Sequence, residues 1–271
     1  MLGRPRASRL EYGLDHGPND WMFMDDWLTW LALALAGLVA GVINTLAGGG
    51  TLLTVPTLVY FGLPATVANG TNRVGVLLQN FFATRSFRRE GFDALAESLP
   101  IVLPAVIGSI LGATVASRMS AELYERVFGV AMIAVLVPIL RGQSKKRSEG
   151  PVEQRSRFMN TAIFLAIGFY GGSIQAGVGI FVIAALARSG LDLVRANAVK
   201  VILVGALTLV ALPVFLIHGQ IDWPFALAMA SGFALGGELG ARAAARGGER
   251  LIKPVLVLSV LAMAGRMLGL Y

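Results

Sequence analysis

Residues 40–51 read AGVINTLAGGGT, and residues 170–181 read YGGSIQAGVGIF. Each is an apolar run broken by glycines, and Gly48-Gly49-Gly50 stands directly before Thr51. Glycine tolerates backbone angles closed to other residues and lets a ligand or a second backbone approach closely. A phosphate-cradling glycine loop would end in Lys-Ser/Thr, which is absent here. The surrounding apolar runs approach the ~20 residues that a ~30 Å hydrocarbon core demands. The stretch therefore reads as a membrane helix that breaks and continues as a second, shorter helix.

Composition points the same way. Of 271 residues, 55% are hydrophobic and 14% charged, with mean hydropathy +0.69, whereas soluble domains carry about 25% charged residues. The 33 glycines suit membrane helices, where neighbouring helices re-satisfy freed backbone groups. The net charge of +7 sits in loops between apolar runs without interleaved aromatics. That pattern excludes nucleic acid as a partner and fits loops facing an anionic lipid bilayer. The absence of cysteine excludes disulfides and thiolate chemistry, and His16 and His218 are too few for an imidazole-rich metal site. No Ser-His, paired-Asp or His-Glu arrangement falls within the apolar runs, so no enzyme, cofactor or metal is expected.

Outward from the two breaks the chain repeats itself. GSILGATVASRMSAELYERV (108–127) pairs with GFALGGELGARAAARGGERL (232–251), sharing Gly-x-x-Leu-Gly, Arg118 with Arg242, and Glu125-Arg126 with Glu249-Arg250. GLPATVANGTNRV (62–74) pairs with GLDLVRANAVKV (190–201), and the three blocks keep their order. The expected organisation is a polar tail over 1–26, a first membrane repeat over 27–140, a basic linker over 141–157 and a second repeat over 158–271. Helical segments are expected over 27–61, 65–85, 98–118 and 122–140, then 158–188, 194–217, 223–241 and 251–268. The fold class is thus an all-α polytopic membrane protein of two inverted repeats, each a glycine-broken helical hairpin plus three transmembrane helices. Positive-inside bias puts linker 141–157 in the cytoplasm together with Arg85, Arg88, Arg89, Arg188, Arg242 and Arg246. It puts 61–65, 118–122, 218–222 and both termini outside, with Trp27, Trp30 and Trp223 as interfacial anchors.

Inverted repeats with broken helices place a substrate near the bilayer centre, where half-helix N-termini face anionic groups. Candidate substrate-binding residues are Asn44, Gly48, Gly49, Gly50 and Thr51 at the first break and Gln175, Gly177 and Gly179 at the second. Arg73 and Lys200 lie about eight residues into matching helices, ~12 Å deep, where a cation costs roughly 2.5–3.5 kcal/mol. Asn69 and Asn197 precede them, and Asn72 lines the same face. An ion pair of either cation with Glu238 is the structural alternative; Glu238 is also a candidate coupling carboxylate, although its counterpart in the first copy is Thr114. Together these residues predict a small anion as substrate, with a coupling proton or ion and a homo-oligomer left open.

These residues resemble the sulfite exporter TauE/SafE family, also called domain of unknown function 81. The resemblance rests on AGVINTLAGGGTLLTVPTLVYFGLP (40–64), ANGTNRVGVLLQN (68–80) and ANAVKVILVG (196–205), and extends over about 27–270. It implies a multi-pass permease of the bacterial inner membrane moving a sulfur-containing or organic anion such as sulfite, sulfoacetate or thiosulfate. A passive anion channel and a non-transporting assembly or partner protein are the alternatives. The family commonly shows lysine where this chain has Arg73, a planar fork in place of a point charge.

Overall fold

The structure is a computed structural model that describes the backbone over residues 27–140 and 156–267, and side chains over 27–131 and 156–247. The polar tail 1–26 and nearly all of the basic linker lie outside the described residues. Every regular element described is an α-helix: α1 Trp27–Ala47, α2 Thr51–Tyr60, α3 Ala65–Arg89, α4 Leu95–Ala116, α5 Ala121–Leu140, α6 Arg157–Ser173, α7 Val178–Arg188, α8 Leu193–Ile217 and α9 Trp223–Met267.

Local chemistry fixes these ends. Asp192 caps α8 by accepting from the Val194 and Arg195 amides, both at 3.0 Å, and Ser156 caps α6 through the Met159 amide. Pro64 precedes the first residue of α3, where its fixed φ suits helix entry. Gly62, Gly91, Gly190 and Gly219 each follow a helix by two residues with φ between 66° and 90°, the left-handed stop that closes α2, α3, α7 and α8.

Among the described residues three helices, α1, α4 and α8, are long and apolar enough to cross a bilayer. Their outward faces are greasy: Leu31, Leu35 and Val39 on α1, and Leu99 and Leu103 on α4, are exposed at helical spacing. The interior combines a hydrophobic core with buried asparagine, glutamine, threonine and two cations. That distribution suits a solvent as apolar as the leucine side chain.

Two close helix pairs organise the bundle. Along α1 and α9, Gly37 and Gly41 meet Met229, Phe233 and Gly236, while Gly232 meets Ala34 and Leu38. Along α4 and α6, Gly108 meets Leu165 and Phe169, Gly112 meets Phe169 and Ser173, and Gly172 meets Ser109. In both pairs the residue numbers climb together, so the helices run parallel. A Cβ on Gly232 would lie 1.9 Å from the Ala34 oxygen, and one on Gly172 2.0 Å from the Ser109 oxygen. Small residues at four-residue spacing let the backbones touch, which replaces hydrophobic driving force between helices in lipid.

The two ends of the bundle differ in chemistry. At one end Arg246 pairs with Glu90 at 2.8 Å, Arg195 with Glu97 at 3.3 Å and Arg88 with Asp93 at 3.1 Å. At the other end Phe225 packs on Trp30 and Phe61, and Gln220 Nε2 donates to the Ser117 oxygen at 2.9 Å. The loops expected together by charge therefore cluster together in space.

One expectation is corrected. Residues 223–241 and 251–268 were expected as separate helices, but α9 is a single helix of 45 residues, about 67 Å long. The intervening RAAARGGER is rich in alanine, arginine and glutamate, which propagate a helix, and its two adjacent glycines cost only about 1 kcal/mol each. The expected return crossing is not a separate element.

Candidate functional site

The two glycine-rich breaks meet. The first lies between α1 and α2, where Gly48 has φ 80°; the second lies between α6 and α7, where Gln175 has φ 63° and Gly177 φ 70°. A Cβ placed on Gly48 would sit 2.6 Å from the backbone of Gly179, and one on Gly179 2.6 Å from Gly48 and 2.9 Å from Lys200 Cδ. The Thr51 hydroxyl lies 3.5 Å from the Gln175 carbonyl oxygen. Short helices α2 and α7 start from this junction, with Gly50 and Gly177 as their N-caps.

Each cation crosses to the other hairpin. Lys200, on α8, donates through Nζ to the Asn44 and Thr45 oxygens at 2.8 and 2.7 Å. Three residues earlier on the same helix, Asn197 donates to the Leu46 oxygen at 3.2 Å. These are the last carbonyls of α1. Arg73, on α3, donates to the Gly171 oxygen through Nη1 and Nη2 at 3.2 and 3.3 Å, and to the Gly172 oxygen at 2.5 Å. Asn69 donates to the Ser173 oxygen at 3.1 Å. These are the last carbonyls of α6. Carbonyls at a helix C-terminus lack intrahelical donors and carry about half a negative charge, so a cation is their natural partner.

The geometry shifts the sequence pairing of the breaks. Side by side, 40–51 and 170–181 match Asn44 with Ile174. In the structure Asn44, Thr45 and Leu46 play the parts of Gly171, Gly172 and Ser173, and the left-handed Gly48 corresponds to the left-handed Gln175. Matching by identity aligned Gly41 with Gly171 and Gly49 with Gly179, but position in a break is set by backbone angle. Gln175 is the sole non-glycine with positive φ among the described residues, a conformation that costs of order 1–3 kcal/mol.

The remaining polar candidates tie the hairpins to α3 and α8. Asn44 donates to Gln79 Oε1 at 2.6 Å, and Gln79 Nε2 donates to the Thr45 hydroxyl at 2.9 Å. Thr54 donates to Asn72 Oδ1 at 2.6 Å. Asn80 turns back onto the Val76 oxygen of its own helix. Gln175 Nε2 donates to the Thr208 hydroxyl at 2.8 Å. Five polar atoms in this region are buried without a partner: Asn69 Oδ1, Asn72 Nδ2, Arg73 Nε, Gln175 Oε1 and Asn197 Oδ1.

Glu238 lies apart from the junction. It pairs with Arg242 and stands 3.7 Å from Arg89 at the arginine-rich end, so neither deep cation uses it. Among the described residues no carboxylate pairs with Arg73 or Lys200; both are buried against carbonyl oxygens, Arg73 with an aromatic ring beside it as well.

Sequence reading missed four participants. Phe215 lies under the Arg73 guanidinium, 4.5 Å from centroid to Cζ. Tyr124 donates to the Ser173 oxygen at 3.3 Å, and Thr54 and Thr208 hold Asn72 and Gln175. Thr208 was findable, because it follows Lys200 by eight residues and so shares its helix face. The carbonyls that receive the cations carry no signal in side-chain identity.

No solved structure matches this chain. Among curated proteins, the chain is 33% identical over 243 residues to "Probable membrane transporter protein ORF9" of Sinorhizobium sp, covering 88% of this chain and 91% of that one. It is 28% identical to a "Probable membrane transporter protein" of Haemophilus influenzae, covering 90% and 96%, and 26% identical to the YfcA protein of the same description in Escherichia coli K12, covering 91% and 92%. The sulfite exporter TauE/SafE family matches residues 33–267. With an all-helical bundle, lipid-compatible faces and a buried cation pair at two broken helices, the chain belongs to the sulfite exporter TauE/SafE family of membrane transporters.

Proposed function

We propose that this membrane transporter carries a small anion by alternating access between two inverted halves, 27–140 and 158–271, in the bacterial inner membrane. The substrate class is a sulfur-containing or organic anion such as sulfite, thiosulfate or sulfoacetate. One observation carries the reading: each half contributes one fully buried cation, and each cation holds the broken helix of the other half. Helix C-termini of about −0.5 and N-termini of about +0.5 nearly cancel at the junction. The two formal positive charges are left without a counter-ion, and an anion is the partner that neutralises them.

The packing supports the inversion. The parallel pair α1–α9 starts at the aromatic end and the parallel pair α4–α6 at the arginine-rich end, so equivalent helices run in opposite directions. Positive-inside bias orients the arginine-rich end, with linker 141–157, to the cytoplasm. An anion arriving at the junction competes with the carbonyls for Lys200 and Arg73. Loosening either set frees one hairpin from the opposite half, which links binding to rearrangement. Asn72 Nδ2 and Arg73 Nε, buried and unpaired, are the donors available to it, beside the α2 and α7 N-termini.

The test is uptake of sulfite, thiosulfate, sulfoacetate and chloride into proteoliposomes by wild type and Arg73→Gln. Saturable flux of one sulfur anion, reduced at least tenfold in the variant, is expected. Flux linear in concentration would make the protein a channel, and equal saturable flux in the variant would remove the cation pair from the mechanism. A proton-coupling part for Glu238 predicts that Glu238→Gln no longer responds to an imposed pH gradient.

A further inference from the structure

Away from the hairpin junction, a cavity of about 680 Å³ opens between α3, the start of α4, and α8. Its floor is mostly apolar, built by Leu77 and Phe81 from α3 and by Val201, Ile202 and Leu209 from α8, with Asn80 the polar residue among them. Phe81 and Leu209 are exposed, so the cavity is continuous with the lipid-facing surface of the bundle. Its mouth is basic: Arg85, Arg88 and Arg89 line it together with one acidic residue, Asp93. Arg88 is engaged with Asp93 at 3.1 Å and Arg89 stands 3.7 Å from Glu238, while Arg85 has no carboxylate partner among the described residues. From Leu77 to Arg89 along α3 is twelve residues, or about 18 Å, close to the ~15 Å depth of one leaflet's hydrocarbon.

We propose that this groove is a binding site for an anionic phospholipid, with acyl chain along the α3–α8 floor and phosphate at Arg85 and Arg88. Three properties converge on that occupant. An apolar slot one leaflet deep excludes a fully solvated small anion from its floor. The net positive mouth at the leaflet boundary favours a charged headgroup over a zwitterionic one, as basic pockets between membrane helices do. The lateral opening at Phe81 and Leu209 gives a chain direct access from the bilayer. The α3 helix carries both this groove and Arg73, so the lipid would bear on the element that holds the opposite hairpin. The proposal does not rest on which anion is transported.

The experiment measures lipid retention by native mass spectrometry of the detergent-purified protein, offered phosphatidylglycerol, phosphatidylcholine or glycerol phosphate. Wild type is expected to retain phosphatidylglycerol selectively, and the exposed-site double variant R85Q/R88Q to lose roughly ten- to thirty-fold in affinity. Leu209→Trp, which fills the floor and leaves the arginines intact, is expected to weaken retention as well. Equal retention of the two lipids, or unchanged retention in R85Q/R88Q, would overturn the site. Glycerol phosphate displacing the lipid completely would mark a free-anion vestibule instead, and protein dimers in place of lipid adducts would assign the groove to a second copy of the chain.

Discussion

Arg73 is held by three kinds of contact at once: the Gly171 and Gly172 carbonyls, the Phe215 ring beneath it, and complete burial. A lysine in its place keeps the charge but loses the planar fork and the ring contact, worth about 0.5–2 kcal/mol. Arg73→Lys is therefore expected to fold and to raise the KM for uptake several-fold. Lys200→Met removes the Nζ donor from both the Asn44 and Thr45 carbonyls. The Asn44 oxygen keeps the Gly48 amide at 2.8 Å, but the buried Thr45 oxygen loses its donor, at about 1–3 kcal/mol, so the melting temperature in detergent should fall by a few degrees and transport should vanish. Glycines at the two breaks differ from those in turns. Gly48→Ala meets the Gly179 backbone at 2.6 Å as well as an unfavourable φ, whereas Gly62→Ala has the same φ problem with nothing within 4 Å. Gly62→Ala should cost only the ~1–2 kcal/mol of a left-handed alanine, and Gly48→Ala should drive the hairpins apart and abolish uptake.

Parallel pairing through glycine brings the backbones of α1–α9 and α4–α6 into direct contact. Gly172→Leu would force a side chain into Ser109, whose oxygen already lies 2.0 Å from a bare Cβ, and a collapse of the monodisperse peak on size-exclusion chromatography is expected. Gly129→Ala, on α5, is the matched control: nothing lies within 4 Å of its Cβ, and replacing a helical glycine by alanine should stabilise by up to ~1 kcal/mol. If both variants behaved alike, the glycines would be serving propensity rather than contact. Helix α3 is the opposite case, with a nearly unbroken polar interior from Asn69 to Asn80. It is stable in lipid because Asn69, Asn72, Arg73 and Gln79 bond to α1, α2 or α6, Thr71 to the Asp222 amide, and Asn80 to its own helix.

At the scale of the whole molecule, the arginine-rich end is tied together by ion pairs between distant parts of the chain, of which Glu90–Arg246 is the most complete, with two hydrogen bonds at 2.8 and 3.2 Å. The hydrogen bond from Arg246 holds the Glu90 carboxyl below the usual glutamate range. A carboxyl with a lowered folded-state pKa stabilises above its unfolded value, and that contribution disappears as pH falls through the folded value. The wild-type melting temperature is thus expected to fall on acidification below about pH 4 more than that of Glu90→Gln. Both side chains meet solvent, so the difference should be small and should shrink in high salt. No separation between the two proteins at low salt would show that the pair contributes nothing.

Composition and run length alone pointed to a helical membrane protein, because apolar runs near the ~20 residues of a bilayer crossing satisfy their backbone groups within a single helix. The position of both breaks and the isolation of Arg73 and Lys200, both buried in the structure, were also legible, since glycine runs and isolated cations stand out against an apolar background. The grouping of the basic loops followed from the charge rule. The partners of the two cations came only from tertiary structure. Their acceptors are backbone carbonyls, which every residue carries alike, so no sequence pattern distinguishes Asn44 and Gly172 as recipients. The residue correspondence between the breaks was likewise decided by backbone angle, which a glutamine at position 175 conceals. The continuity of α9 followed from local helix propensity across a stretch that repeat symmetry had marked as a loop. Side-chain chemistry, in short, is written in the chain; which carbonyl meets which cation depends on how the other helices are stacked around it.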